Sequence, residues 1–365
     1  MQHGRLAFFI QDLREGGAER SVARLLNGIV ARGVPVDLVV IRRTGRFFDE
    51  LDHRVNVVEL PQTRTIGSIL GVRRFIEERR PLALVSAMTH TNVAAILANR
   101  LARHRTRVVV VEHNQISMNR SLKRGLVGLS YGLVPYAYRK ADVVAAVSRD
   151  VRHDLAVETG IPLEGIRVLH NPVVVPELTD LSAKDLHHPW LSAAAPPVVL
   201  AVGRFTQQKN FPLLLRAFAK VRSARLARLI ILGDGELRSE LEALAKGLGI
   251  AEDVDLPGFD PNPFRFMSRS AVYALSSDWE GLPTALIEAL ACGAPVVTTD
   301  CAGAGEVLLG GRLGRIVPRG DADALAAAIA GTIEAPGPRE ERVARAADFG
   351  LESAVDHYLQ AAGLS

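Results

Sequence analysis

Cysteine is nearly absent from this 365-residue sequence: only Cys292 and Cys301 occur, without CxxC spacing, which excludes a disulfide framework and fits a reducing compartment. Both are expected to be free thiols with no catalytic role. No stretch approaches the ~20 apolar residues of a spanning helix, and the opening M-Q-H-G-R-L-A-F-F-I-Q-D has too short an apolar run for a signal peptide. A cytoplasmic protein is expected. No repeat of 20 to 50 residues and no low-complexity tract occurs. His187-His188 lacks the spaced partners of a metal site. The first loop lacks the G-x-G-x-x-G spacing of dinucleotide-binding folds, which counts against an oxidoreductase.

What is present is a chain long enough for two cores, with 48% hydrophobic residues. Net charge is +4 but unevenly placed: residues 1–172 hold 26 Lys/Arg against 16 Asp/Glu, so the first half is basic and the second acidic. A basic half can meet nucleic acid, anionic lipid or an acidic substrate, and charge alone does not choose among them. Apolar runs R-L-A-F-F-I, V-D-L-V-V-I, V-N-V-V-E-L, L-A-L-V-S, R-V-V-V-V-E and D-V-V-A-A-V-S alternate with helical stretches, the pattern of a parallel α/β sheet. The sequence turns irregular after His170-Asn171-Pro172, which predicts a boundary near 172 and a linker reaching Pro197. A second α/β series follows in P-V-V-L-A-V-G-R-F, R-L-I-I-L-G-D-G-E, V-D-L-P-G, A-V-Y-A-L-S and A-P-V-V-T-T-D. Residues 339–362 have helical spacing, with Gly350 as a possible break.

The stretch from Ser277 to Asp300, S-D-W-E-G-L-P-T-A-L-I-E-A-L-A-C-G-A-P-V-V-T-T-D, reads as strand end, loop, helix, turn and strand. Pro283 suits a first helical position and Gly293 a left-handed cap, so a helix is predicted over 283–292. Its first turn would offer free N–H groups at Thr284, Ala285 and Leu286 with the positive dipole end, a ready anion site. Thr284 and Glu288 share a face, and Glu280 stands in the loop before. An ordinary βα unit with solvated acids fits these facts as well as a phosphate-and-ribose site does.

Glu280 and Glu288, with seven residues between them in D-W-E-G-L-P-T-A-L-I-E-A-L-A-C-G-A-P-V-V, resemble the signature of glycosyltransferase family 4. The resemblance implies an α/β fold of the GT-B type: two Rossmann-like domains with parallel sheets facing a central cleft. The acceptor domain would span 1–172, the sugar-nucleotide domain 173–338, and a terminal helix, 339–365, would pack back on the first. It also implies that Glu280 lies near the donor sugar, that Gly281, Leu282, Pro283, Thr284 and Ala285 meet sugar hydroxyls and phosphate, and that Glu288 binds ribose.

Other stretches carry the same resemblance. Gly16-Gly17-Ala18-Glu19-Arg20 allows close backbone approach at a helix start and is similar to the family's first loop, facing donor and acceptor. His113 in V-E-H-N ends an apolar strand; it is either a satisfied structural residue or, as in similar proteins, a contact to the donor sugar. His90, also after a strand end, has less to commend it. In G-R-F-T-Q-Q-K-N a guanidinium and an ammonium can converge on a diphosphate, and the resemblance gives Arg204 and Lys209 that role. Gly233-Asp234-Gly235-Glu236 reads as a turn and helix cap, and Val254–Phe259 matches the family's region near the nucleobase. Asp300–Glu306 is one residue shorter than the family's closing segment, which leaves Gly303 and Glu306 without a clear role. Asp321-Ala322-Asp323 looks like the metal-binding D-x-D of the other major glycosyltransferase fold, but its context is a helix start. Residues 119–140 mix apolar and aromatic positions with Arg120, Lys123, Arg124, Arg139 and Lys140, and are either a buried face with basic ends or an element binding anionic lipid.

The expected activity is that of a retaining hexosyltransferase with Glu280, His113, Arg204 and Lys209 as catalytic groups, needing no metal and no other cofactor. Its donor would be a UDP-sugar or GDP-mannose. Its acceptor would be a polyprenyl- or lipid-linked glycan of envelope or exopolysaccharide assembly, met at the inner membrane face, with no nucleic acid partner. A sugar-nucleotide epimerase, a transferase to a soluble acceptor and a noncatalytic sugar-nucleotide sensor are the competing readings.

Overall fold

Continuous apolar runs become buried parallel strands in the computed structural model, which describes residues 4–14, 16–61, 65–122, 125–192 and 195–364. The chain divides into two units, Met1–Pro172 with Gly350–Ser365, and Val173–Phe349.

In the first unit seven strands, β1 (Leu6–Ile10), β2 (Val36–Val40), β3 (Asn56–Glu59), β4 (Ala83–Ala87), β5 (Arg107–Glu112), β6 (Val143–Ala146) and β7 (Ile166–Val168), lie in the order β3-β2-β1-β4-β5-β6-β7. Every pair is parallel, with Phe8 opposite Leu38 on one side and Val85 on the other. The second unit has β8 (Val198–Val202), β9 (Arg228–Leu232), β10 (Val254–Gly258), β11 (Val272–Leu275), β12 (Val296–Thr299) and β13 (Arg315–Val317), ordered β10-β9-β8-β11-β12-β13 and again all parallel. Helices cover such sheets, so strands read as apolar on both faces. One core gathers Phe205, Phe211 and Phe218 with Val199, Leu229 and Ile231, the first two rings meeting edge to face at 5.5 Å. In both sheets the strand order reverses beside the first strand, at β1/β4 and at β8/β11, and ligands of doubly wound sheets bind outside the carboxyl ends at such points.

The structure departs from the sequence expectation in four places. β7 and β13 are three-residue edge strands, too short to stand out from their surroundings. The predicted linker is an integral part of the second unit. Leu178 is buried, Asn262 Nδ2 donates to Leu181 O at 2.8 Å, His188 Nε2 meets Asp255 Oδ2 at 3.0 Å, and the Arg228 guanidinium covers the Trp190 ring at 4.9 Å. Side chains reaching for loop carbonyls leave no apolar pattern to read.

The single terminal helix expected over 339–365 is two helices, Arg339–Ala346 in the second unit and Leu351–Ala362 in the first. Extended Gly350 separates them, and Phe349 O is held by the amides of Val173 and Val174 at 3.0 and 3.1 Å. Leu351–Ala362 lies on helix Gly17–Ala31 at Gly28, where a Cβ would come within 2.7 Å of Val355. Arg32 pairs with Glu352 at 2.5 Å and with Asp356. Finally, the helix predicted over 283–292 is Thr284–Ala291, with Pro283 as its cap residue. Among the described residues no helix is long and apolar enough to cross a membrane.

Candidate functional site

The second unit's switch point is built by two loops that hold each other. After β8, Gly203 donates to Leu232 O at 2.9 Å and Gly233 to Gly258 O at 2.8 Å, which ties the three strand ends together. Gly233 has φ +135°, and a Cβ there would run into the Gly203 carbonyl oxygen, which requires glycine. A 3-10 turn, Gln207–Lys209, then leads to Asn210 at φ +43°. Asn210 Oδ1 accepts from Leu213 N at 3.2 Å, capping helix Phe211–Ala224, while its Nδ2 donates to Asp278 Oδ1 at 2.8 Å.

The loop after β11 completes the clip. Ser276 Oγ donates to Lys209 O at 2.8 Å and Asp278 N to Gln208 O at 2.9 Å. Within this frame Lys209 Nζ contacts Glu280 Oε1 at 2.6 Å; Ser277 Oγ donates to the same oxygen at 2.8 Å, and Gln208 Nε2 reaches Oε2 at 3.3 Å and Trp279 O at 2.9 Å. Glu280 is buried and Lys209 largely so, which makes this a charge-assisted contact sheltered from water. Arg204 is exposed, its carbonyl accepting from Thr206 N at 2.8 Å while no hydrogen bond or ion pair to its guanidinium is seen among the described residues.

Helix Thr284–Ala291 starts directly behind. Leu286 N is taken by Pro283 O at 3.0 Å, so the three free amides expected from the sequence are two, Thr284 and Ala285. Gly281, Leu282 and Pro283 are buried, as is Glu288 one turn into the helix. Tyr273, fully buried on β11, has its hydroxyl pushed up by burial and then by the negative charges of Glu288 and Glu280. Gly303 abuts this loop, where a Cβ would stand 2.8 Å from Pro283 Cδ, and Glu306 O accepts from Arg345 at 2.7 Å; these are packing roles. Burial pushes the thiols of Cys292 and Cys301 up to about 12.

In the first unit Gly16 caps helix Gly17–Ala31 at the end of the β1 loop. His113 is buried beyond β5, and its Nδ1 has no hydrogen-bond partner among the described residues. Burial pushes its pKa down to about 4, so the ring is neutral. Glu112, which belongs to none of the motifs above, is the centre of a buried polar cluster with Thr89, Asn92 and Tyr138. A glutamate closing a run of four valines is the signal that could have found it.

Other predicted groups have structural partners. Asp234 holds Gly235 N at 2.8 Å and Arg238 at 3.1 Å. Asp321 caps its helix through Ala324 N at 2.8 Å and Asp323 pairs with Lys220 at 2.6 Å, so the D-x-D lookalike is a helix start. Arg120 pairs with Glu158 at 2.8 Å and Arg139 donates to Thr159 O, so two of the basic positions in 119–140 serve the fold; Lys123 and Arg124 lie outside the described residues.

Two doubly wound units, the second with cations, buried carboxylates and a helix start at its switch point, have the architecture of a GT-B glycosyltransferase. Solved structures agree on the fold: Anabaena Alr3699/HepE in complex with UDP and glucose has a TM-score of 0.81 at 21% identity, with 98% of this chain and 99% of that one covered. The lipopolysaccharide outer core galactosyltransferase WaaB gives 0.75 at 18%, covering 98% of each. Among curated relatives, a Campylobacter jejuni N-acetylgalactosamine-N,N'-diacetylbacillosaminyl-diphospho-undecaprenol 4-alpha-N-acetylgalactosaminyltransferase is 29% identical over 310 residues, 81% of this chain and 80% of the relative. The Erwinia amylovora amylovoran biosynthesis glycosyltransferase AmsD is 25% identical over 298 residues, 81% of each. The family described as Glycosyltransferase Family 4 matches residues 15–175, and Glycosyl transferases group 1 matches 183–348. The chain belongs to glycosyltransferase family 4.

Proposed function

We propose that this glycosyltransferase moves a hexosyl group, with retention, from a UDP-sugar or GDP-mannose to a lipid-linked glycan acceptor of cell-envelope or exopolysaccharide assembly. The observation that carries the reading is the Lys209–Glu280 clip at the β8/β11 switch point, with the Thr284 and Ala285 amides at the adjoining helix start. Lys209, Arg204 and those amides stabilise the departing diphosphate, supplying two cations and a dipole where negative charge develops. This set needs no divalent cation. Glu288 takes the ribose diol, and Glu280, with Gly281 to Pro283, takes sugar hydroxyls. On the first unit Gly16 and Gly17 offer backbone to donor and acceptor, and the neutral His113 ring meets the donor sugar. Neither glutamate serves as a double-displacement nucleophile. The acceptor proton passes to a donor phosphate oxygen as the glycosidic bond breaks on the same face.

The lipid-linked acceptor is supported by the Campylobacter relative, whose name specifies a diphospho-undecaprenol. Contact with the inner face of an anionic membrane is the second part of the reading, supported by exposed Tyr136 and Leu133 near exposed Lys140. The experiment is nucleoside diphosphate release from a panel of UDP- and GDP-sugars, with and without membrane-lipid extract and with and without EDTA, using Glu288→Ala as control. Release from one donor that needs the extract and survives EDTA supports the reading. Extract-independent release means a soluble acceptor or hydrolysis, an epimerised sugar means an epimerase, and binding without turnover means a sensor.

A further inference from the structure

Glu112 closes β5 with 1% of its surface exposed, and no lysine or arginine among the described residues bonds to it. Its carboxylate collects three neutral donors instead. Thr89 Oγ1 donates to Oε2 at 3.1 Å, Asn92 Nδ2 to Oε1 at 3.2 Å, and the Tyr138 hydroxyl to Oε1 in a short hydrogen bond. Asn92 Nδ2 also stands 3.0 Å from Val111 O and 2.9 Å from the Tyr138 oxygen, while its Oδ1 accepts from Ser86 Oγ at 2.7 Å. Helix Thr89–Leu101, the turn Tyr138–Lys140 and the end of β4 are thereby tied to the last residue of β5.

The next residue is His113. Just beyond it Asp154, on helix Arg149–Thr159, accepts from Ile116 N at 2.6 Å and Ser117 N at 3.3 Å and from the Ser117 hydroxyl. The segment bearing His113 is therefore pinned at both ends.

A buried carboxylate without a cation is a costly way to fill space, and a neutral side chain would cost less. The three donors, however, match the anion. Once the carboxyl gains a proton, the pattern has to change: Asn92 Nδ2 has only hydrogens to offer, so the acid hydrogen must go to the Thr89 or Tyr138 oxygen, whose own hydrogen then turns away from the carboxyl. We propose that Glu112 is a positioning residue: as the anion it fixes the end of β5 and with it the orientation of the His113 ring, and protonation loosens that hold. This rests on the substrate-contacting role proposed for His113. The titratable or charged groups around the carboxylate are Tyr138, Tyr131 on helix Gly125–Ala137, Asp154, and His113 itself. Burial pushes Glu112 up to about 7, with the negative Asp154 adding to the rise and the hydrogen bond from Tyr138 opposing it. The change of state thus falls near neutral pH.

The test compares wild type, Glu112→Gln and Tyr138→Phe through the pH dependence of kcat and KM and, independently, the 15N shifts of the His113 ring. In wild type kcat falls as pH drops below about 7 and the His113 signals step over the same range. Glu112→Gln abolishes both steps and lowers kcat on the order of tenfold or more, the scale of a misplaced catalytic group. Tyr138→Phe, lacking the bond that favours the anion, moves both steps to higher pH. An unchanged kcat profile in Glu112→Gln, or a His113 ring insensitive to pH near 7 in wild type, overturns the proposal. If wild type releases nucleotide from no donor, the functional reading has failed, and the His113 step alone decides for or against Glu112.

Discussion

Glu112 and His113 are chain neighbours whose burial acts on stability with opposite signs, so substituting either should expose a pH dependence that the native protein hides. Glu112 rises from 4.5 to about 7 on folding: the stability it contributes is complete below pH 4.5 and is lost as pH climbs through about 7. His113 falls from 6.5 to about 4: its contribution is complete above pH 6.5 and is lost as pH descends through about 4. At 1.36 kcal/mol per pH unit each contributes on the order of 3 kcal/mol, and between about pH 4.5 and 6.5 the two slopes cancel. Glu112→Gln should leave the histidine slope, losing stability on acidification, and His113→Gln should leave the glutamate slope, losing stability toward neutrality. Both tryptophans, Trp190 and Trp279, belong to the second unit, so their fluorescence provides an internal control that should not respond. The first unit is followed by native-state hydrogen exchange of the β5 amides at a series of pH values. Parallel, flat profiles for wild type and both variants would refute the argument.

Four further outcomes follow from the packing. Glu280→Gln or Lys209→Met alone should lower second-unit stability by about 3 kcal/mol by leaving a sheltered charge unpaired, whereas the double variant should lose less than the sum, as read by urea unfolding with tryptophan fluorescence. In UDP titrations Lys209→Met should weaken binding by about tenfold to a hundredfold, while Glu280→Gln, which frees the ammonium, should tighten it yet abolish transfer. Gly233→Ala should cost on the order of 3 kcal/mol, combining backbone strain with a collision at Gly203, and should appear as a lowered second-unit unfolding midpoint. Gly28→Leu should displace helix Leu351–Ala362, detectable as faster exchange of its amides with little change in the second unit's fluorescence.

The strands of both sheets were legible because parallel strands are apolar on both faces, and runs such as R-V-V-V-V-E need no partner to be recognised. β7 and β13 were not, since three residues carry no period. Lys209 and Glu280 could each be singled out from local spacing, but their pairing joins residues 71 positions apart and depends on the switch point between β8 and β11. Glu112 stands out at the end of four valines, but its cluster is illegible for the same reason: Ser86, Thr89, Asn92 and Tyr138 come from three other elements, and each looks ordinary in its own stretch. The segment 173–197 reads as a linker but is not one, because polar, proline-containing composition signals a linker only when nothing distant claims its carbonyls, and here Asn262, Ser268 and Arg265 do.

The return of helix Leu351–Ala362 to the first unit sets an order of events during synthesis. The second unit is one uninterrupted segment, Val173–Phe349, and every residue it needs is translated before that helix. The first unit begins earlier yet finishes later, because helix Gly17–Ala31 at Gly28 waits for Leu351 and Val355, and Phe8 on β1 waits for Tyr358. A ribosome stalled anywhere in the second unit would therefore hold a first unit with an open apolar flank, the state most exposed to chaperones, proteases and self-association.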